Sequence, residues 1–393
     1  MYFPATKDIV SAALTTNLFV SSYIGTITTL QLSQYTNGSY SLKSLSVNNE
    51  TTDNPAWLMK DPYNDVLYCA NEFLSNSVND GSISAYKIGA GGVLTLLEKQ
   101  ETVNGPVNTV LFNGGKNMAA AHYSGSALTT YTVHSNGTIS PLQTLKFTLA
   151  KPGPYPGGRQ LSPHPHEALL DPTSQFLLVP DLGADLVRIF PINSSTSLVS
   201  ESAPLVAPSG SGPRHGAFHV TSCNTTYFYL VEELGNTVTS YVVTYSENPK
   251  GMSFKQLERT SIYGNYSVPA GAAPAAAEIV ATPDNKFMLT SSRNLTTLTN
   301  PPSDTLQTWT ITPSGALSFT QLFPTDGDFP RQFSLNKAGN LVAVGLQRSG
   351  KVVIISRNVT TGLFEKKVAE IAIGKFTGPN DNNGQVTSVV FDE

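Results

Sequence analysis

The segment from Leu161 to Ile192, LSPHPHEALLDPTSQFLLVPDLGADLVRIFPI, places His164, His166 and Glu167 directly ahead of an apolar run. Imidazole and carboxylate side chains move protons and also ligate metals. Comparable segments recur along the chain and carry polar or charged groups at matching positions. Five residues ahead of the first turn stand Ala56, Asn108, His166, Arg214, Ala277 and Arg331; one residue later stand Trp57, Thr109, Glu167, His215, Glu278 and Gln332. At the end of the following apolar run stand Glu72, Tyr123, Asp181, Glu233, Arg293 and Gln347. Such strands need only small or apolar residues to pack, so charged groups recurring at these levels must meet one another or stay hydrated. Guanidinium groups hold carboxylate or phosphate in bidentate pairs, while a neighbouring imidazole and carboxylate exchange protons. The pattern predicts a pocket for a small anionic substrate, with Arg331, His215, Glu278, Trp57, Asn108, Tyr123 and Gln347 among the groups that contact it.

Two other arrangements use the same residues. The arginines and glutamates could cancel one another as ion pairs. Alternatively, His164, His166 and His215 with Glu167 or Asp181 could form a zinc or manganese ligand set. The nearby arginines would repel a cation, and His164 and His166 lie two apart across a proline, so the expectation is a site without metal or other cofactor. No G-x-S-x-G stretch is present to suggest a serine nucleophile on a strand-to-helix turn. His164 reads as a loop residue, and His219 as part of a turn.

The elements that must position these groups follow from the same recurrence. Segments beginning at Asn54, Gly105, Pro163, Gly212, Ala275 and Phe329 each read as strand, tight polar turn, strand, second turn. The turns DPYN, NGGKN, DPTSQ, TPDNK and NKAGN are rich in residues that favour reversals between strands. Third runs such as SISAYKI, TVTSYVV and KVVIISR follow, usually with a fourth. Four strands per unit at a spacing near fifty residues are the mark of a β-propeller blade. Six units are complete. NLFVSSYIGTITTLQLS near the start lacks an inner strand, and QVTSVVFDE at the end supplies one, so pairing them would close a seven-bladed all-β ring over residues 1–393 as a single domain. Residues 1–16 read as an N-terminal extension, 149–163 as a connecting loop, and 246–277 as a lengthened outer hairpin plus a connection, all candidates for loops around the mouth of the ring.

A net charge of -4 with only 13% charged residues offers no basic surface for nucleic acid or for a membrane. No apolar stretch approaches the length of a membrane span, and the N-terminus lacks the basic region and apolar core of a signal peptide. Cys69 and Cys223 are too few for a disulfide framework and read as small core residues. Sequons at Asn37, Asn49, Asn136, Asn193, Asn224, Asn265, Asn294 and Asn358 suit a secreted glycoprotein. A closed ring has no obligatory free edge, so a monomer is expected.

The segments HPHEALLDPTSQFLLVPDLGADLVRIF, GPRHGAFHV, VEELGNTVTSYVV, AAAEIVATPDNKFMLTSSRN and FPRQFSLNKAGNLVAVGLQ resemble the lactonase family of seven-bladed propellers across nearly the whole chain. That family includes bacterial 6-phosphogluconolactonase and fungal carboxy-cis,cis-muconate cyclase. The resemblance to the cyclase branch implies catalytic and substrate-binding roles for His166 in PHEALLDP, Glu233 in VEELGN, Arg214 in GPRH and Arg293 in TSSRN. It implies opening or forming a lactone without metal. Two alternatives share the scaffold: a natural-product cyclase or pericyclase, suggested by Trp57, Tyr123 and Phe329 at the rim, and a secreted propeller that binds a partner without catalysis.

Overall fold

The computed structural model describes residues 12–51, 54–72, 81–155, 157–248, 250–373 and 385–393. Among these, the strands form seven antiparallel sheets of four. The first and last segments of the chain share a blade. Val386–Phe391 is its inner strand and pairs with Ala12–Ser22, followed outward by Thr26–Tyr35 and Tyr40–Asn48. The register runs from Leu18 opposite Phe391 to Ser22 opposite Val386, and the Ser21 and Thr387 hydroxyls lie 2.8 Å apart across the seam. The strand Ala12–Ser22 begins inside the 1–16 extension anticipated above, whose residues 1–11 lie outside the described residues.

The remaining blades follow chain order, with inner strands Pro55–Lys60, Pro106–Phe112, Leu169–Leu170, Pro213–Val220, Ala275–Ala281 and Pro330–Leu335. The 246–277 region holds the end of Thr237–Glu247, the strand Lys250–Ser261 and the connection to Ala275. Between Lys146 and Leu169 the described chain has no regular strand. Pro163 and Pro165 lack the N–H groups a ladder needs, so the HPHE segment keeps a single bridge, Pro165 to Asp181, flanked by bonds from the His166 N–H to Pro180 O and from the Leu182 N–H to His164 O.

The core is divided among the seven junctions between neighbouring blades. Alternation along each strand feeds two of them. In Phe176–Asp181, Leu177 and Val179 face the Phe112, Ala119 and Leu128 side, whereas Phe176 and Leu178 pack with Phe228, Leu230 and Tyr241 of the next blade. Period-two side-chain direction makes each sheet the wall of two apolar layers and leaves only the inner strands to line the central channel. Cys69 lies in one of these layers, but Cys223 is exposed on the turn between two strands, contrary to the core position expected for it.

Candidate active site

Four inner strands open with proline followed by an irregularity. The register shifts between Pro55 and Trp57, Pro106 and Asn108, Pro213 and His215, and Pro330 and Gln332. A β-bulge leaves one residue unpaired and re-aims its side chain. In three blades the bulged residue, Val107, Arg214 or Arg331, faces a cavity at one mouth of the channel. His166, directly after Pro165, joins them. The ends of the second strands contribute Glu72, Tyr123, Glu233, Arg293 and Gln347, and the cavity measures about 340 Å³. Thus His166, Arg214, Glu233, Arg293, Arg331, Tyr123 and Gln347 of the expected set come together.

Four expected residues lie elsewhere. Asn108 sits one position past the bulge, and its carboxamide oxygen accepts the Ala168 N–H, tying two blades together. His215 is buried beneath His166, with its Nε2 3.1 Å from His166 Nδ1, and Glu278 Oε1 lies 2.7 Å from His215 Nδ1. Trp57 and Glu278 line a cavity at the opposite mouth, and the Trp57 and His215 rings stand T-shaped with centroids 5.6 Å apart. Asp181, placed above at the level of Glu233, is one residue short of it and binds Arg188 and the His164 N–H instead. The His164 ring stacks on Tyr123 and contacts Tyr123 O, so the histidines and carboxylates considered for metal do not converge.

Sequence reasoning missed Arg159 and Tyr23. Arg159 reaches the cavity from the Pro/Gly-rich 149–163 loop, donating from Nη2 to Glu233 Oε1 at 2.8 Å and from Nε to the Tyr123 hydroxyl at 3.0 Å. The adjacent Gln160 pins this loop: its side chain donates to Leu182 O and to Asp185 Oδ1, and Asp185 also accepts the N–H groups of Gly210 and Gly212. One buried carboxylate therefore anchors both Arg159 and the entry to Arg214. Tyr23 follows the second strand of the blade shared by the termini, the counterpart of Glu72, Tyr123 and Glu233. Its hydroxyl donates to Glu72 Oε2 at 2.6 Å and accepts from Arg331.

Glu233 is the electrostatic hub. Besides Arg159, the Arg214 Nε and Arg293 Nη2 atoms each lie 2.9 Å from its Oε2. Burial alone would raise this carboxyl, but Arg293, Arg159 and Arg214 overcome it and hold the group well below the ordinary carboxylate range. Burial, reinforced by Arg293, lowers the Arg214 guanidinium to about 9, which leaves it charged at neutral pH. Burial and the charges of Arg214, Arg331 and Arg293 push His166 well below its ordinary value, so its imidazole is neutral.

Arg348 completes the rim. It donates to Asn294 Oδ1 at 2.6 Å, and it and Arg293 lie over the Phe329 ring at 4.2 and 4.8 Å. Phe329 has φ of 66°, a left-handed backbone that costs a bulky residue about 1–2 kcal/mol. Asp304, buried, accepts the N–H groups of Phe329, Asn294 and Leu295 and so holds this conformation in place. Strain maintained by a buried anchor is characteristic of functional positions. Five arginines, Arg159, Arg214, Arg293, Arg331 and Arg348, face two carboxylates, Glu72 and Glu233, in this cavity. The surplus is positive, and the arrangement can hold an anion beside a neutral imidazole.

Comparison with known proteins supports this architecture. The family model "Lactonase, 7-bladed beta-propeller" matches residues 17–378. The chain is 28% identical to the "Probable 6-phosphogluconolactonase" of Arthroderma benhamiae over 80% of this chain and 76% of that one. It is 29% identical to the 6-phosphogluconolactonase of Formosa agariphila over 81% and 86% of the two chains. Among solved structures, the periplasmic gluconolactonase of Pseudomonas aeruginosa shares the fold with a TM-score of 0.78 at 23% identity, over 96% of this chain and 99% of that one. The chain belongs to the lactonase family of seven-bladed β-propellers.

Proposed function

We propose that the protein hydrolyses a small lactone bearing a carboxylate or phosphate, without metal, at the arginine-rich mouth of the channel. The observation that carries this reading is the placement of the His166 imidazole in the wall of a cavity that holds five guanidinium groups, where burial and those charges disfavour its protonated form. The anionic group of the substrate would rest on Arg331 and Arg348, which have no Glu233 contact to share. His166 takes a proton from water as the water oxygen bonds to the carbonyl carbon. Arg214 and Arg293 stabilise the resulting oxyanion. Collapse breaks the ring C–O bond, and the leaving oxygen takes the proton back from His166, giving the open hydroxy acid. Glu233 keeps three arginines in place rather than acting as the base, since its proton affinity is too low.

Hydrolysis fits better than the cyclase alternative. Adding a carboxylate across a carbon–carbon double bond requires a protonated donor, and His166 is unprotonated at neutral pH. Cycloaddition of an apolar polyene would call for apolar walls instead of five arginines. The names carried by the relatives make a phosphorylated aldonolactone the first substrate to try.

The test is turnover of a phosphorylated aldonolactone, a plain aldonolactone, carboxymuconate and an aromatic lactone, each with and without EDTA. EDTA-resistant hydrolysis is expected, reduced about 10²- to 10⁴-fold by His166→Gln, the usual contribution of a general base. Full turnover by His166→Gln, or loss of activity with EDTA, would overturn the reading. Passage through the secretory route belongs to the same proposal: seven of the eight sequon asparagines, all but the half-buried Asn358, are exposed. Expression in a eukaryotic host followed by enzymatic deglycosylation should lower the apparent mass, and an unchanged mass would remove that part.

A further inference from the structure

We propose that Glu278 and His215 act as positioning residues that fix the tautomer of His166, so that its Nε2 carries the lone pair offered to the cavity. The inference rests on the hydrolytic reading above for its catalytic meaning, but its geometry stands alone. The three side chains form a line through the channel, from His166 in the arginine-lined cavity to Glu278 in the cavity at the opposite mouth. All three are at least nine-tenths buried, with relative exposures of 7%, 1% and 3% from His166 to Glu278, so water cannot freely rearrange their hydrogen bonds.

The direction of each bond follows from the far end. Glu278 Oε1 receives the Ile279 N–H at 3.0 Å and faces His215 Nδ1 at 2.7 Å, which makes Nδ1 of His215 a donor. A neutral His215 then has its lone pair on Nε2. That atom faces His166 Nδ1 at 3.1 Å, so His166 must donate from Nδ1. A neutral His166 is left with an unprotonated Nε2, the form a general base requires. Burial keeps both rings neutral. The charged groups that act on them are Arg214, Arg293 and Arg331 around His166, and Glu278, Arg214 and Arg331 around His215; Glu167 stands close to Glu278. When His166 takes a proton during turnover, the same line carries a stabilising carboxylate at its end, as in other imidazole relays.

The decisive experiment is long-range ¹H–¹⁵N correlation of the histidine rings in the ¹⁵N-labelled protein at neutral pH, with His166→Gln to assign the signals. The expected spectrum shows His166 protonated at Nδ1 and unprotonated at Nε2. Glu278→Ala should convert His166 to a mixture of tautomers. Glu278→Gln should retain the native tautomer, because the Ile279 N–H holds a carbonyl oxygen in the Oε1 position. In turnover, Glu278→Ala should lower kcat by roughly 10²-fold with KM within about twofold, and Glu278→Gln should recover most of it. A wild-type spectrum with the proton on His166 Nε2 would overturn the proposal even if Glu278→Ala fails to fold. So would native tautomers and native kcat in Glu278→Ala. Native tautomers as predicted in a protein that opens no lactone would instead overturn the hydrolytic reading and leave the positioning intact.

Discussion

The two mouths of the channel are built from the same inner strands yet are chemically opposite. At one end, the bulged Arg214 and Arg331, second-strand ends, His166 after Pro165, Arg348 from a turn and Arg159 from the 149–163 loop bring together five arginines, two glutamates, His166 and Tyr123. At the other, Leu169, Phe218, Val280, Phe333 and Leu335 surround Trp57, with the carboxyls of Glu167 and Glu278 on the wall. The difference arises where strands begin. A proline and a bulge at an inner-strand start free one side chain from the ladder and turn it into the opening, whereas regular pairing farther along the strand returns to packing. Chemistry in this ring is gathered where the sheet is irregular.

The largest expected effect comes from removing the hub of the charged mouth. Glu233→Ala leaves Arg159, Arg214 and Arg293 without their shared carboxylate, and breaking such a buried pair typically costs about 3–5 kcal/mol. Urea unfolding should register a loss of that order together with loss of turnover. A change below about 1 kcal/mol would mean that the three arginines do not depend on Glu233. Acid should sharpen the contrast less severely. Because the folded carboxyl of Glu233 is depressed, its contribution is complete above the unfolded value of about 4.3 and is lost only as pH falls through its lower folded value. His166 works in the same sense at higher pH: below about pH 6.5 the unfolded chain binds a proton that folded His166 refuses, so stability already begins to decline with acidification there. The acid limb of kcat/KM should accordingly lie well below pH 6.5, and a midpoint at 6.5 or above would contradict the neutral buried imidazole. The smallest effect belongs to the apolar mouth. Burial, with Glu278 nearby, raises Glu167 well above the carboxylate range, and its Oε2 accepts the Gly216 N–H. Glu167→Gln preserves that bond and should change stability by less than about 1 kcal/mol, with kcat/KM within about twofold. A large loss would show that this end carries charge needed for function.

Much of this was readable because strands have period two. The turns DPYN, DPTSQ and NKAGN and the alternation of residues such as Leu177 and Val179 recur from blade to blade, so the ring and its closure by Val386–Phe391 follow from pattern alone. His166, Arg214, Arg331, Glu233 and Arg293 were legible for the same reason. Asn108 was not placed correctly because it was set level with Arg214 and Arg331, whereas Val107 is the residue that follows the proline in the same bulge; Val107 faces the cavity and Asn108 accepts the Ala168 N–H. The aligned prolines at 106, 165, 213 and 330 carried the missing signal. Tyr23 would have emerged by extending that register to the blade split between the termini. Arg159 had no such route: its loop has no counterpart among the described residues of the other blades, and its path depends on the long-range bonds from Gln160 to Leu182 and Asp185.

The central claim is that the arginine-rich mouth recognises an anionic lactone. Its most direct test is the ratio of kcat/KM for a phosphorylated aldonolactone to that for the same lactone without phosphate, measured at low ionic strength. Charge-assisted contacts to Arg331 and Arg348 predict a preference of about 10- to 100-fold for the charged substrate, reduced by Arg331→Ala and by added salt. Equal kcat/KM for the two lactones, unchanged in Arg331→Ala, would contradict the account.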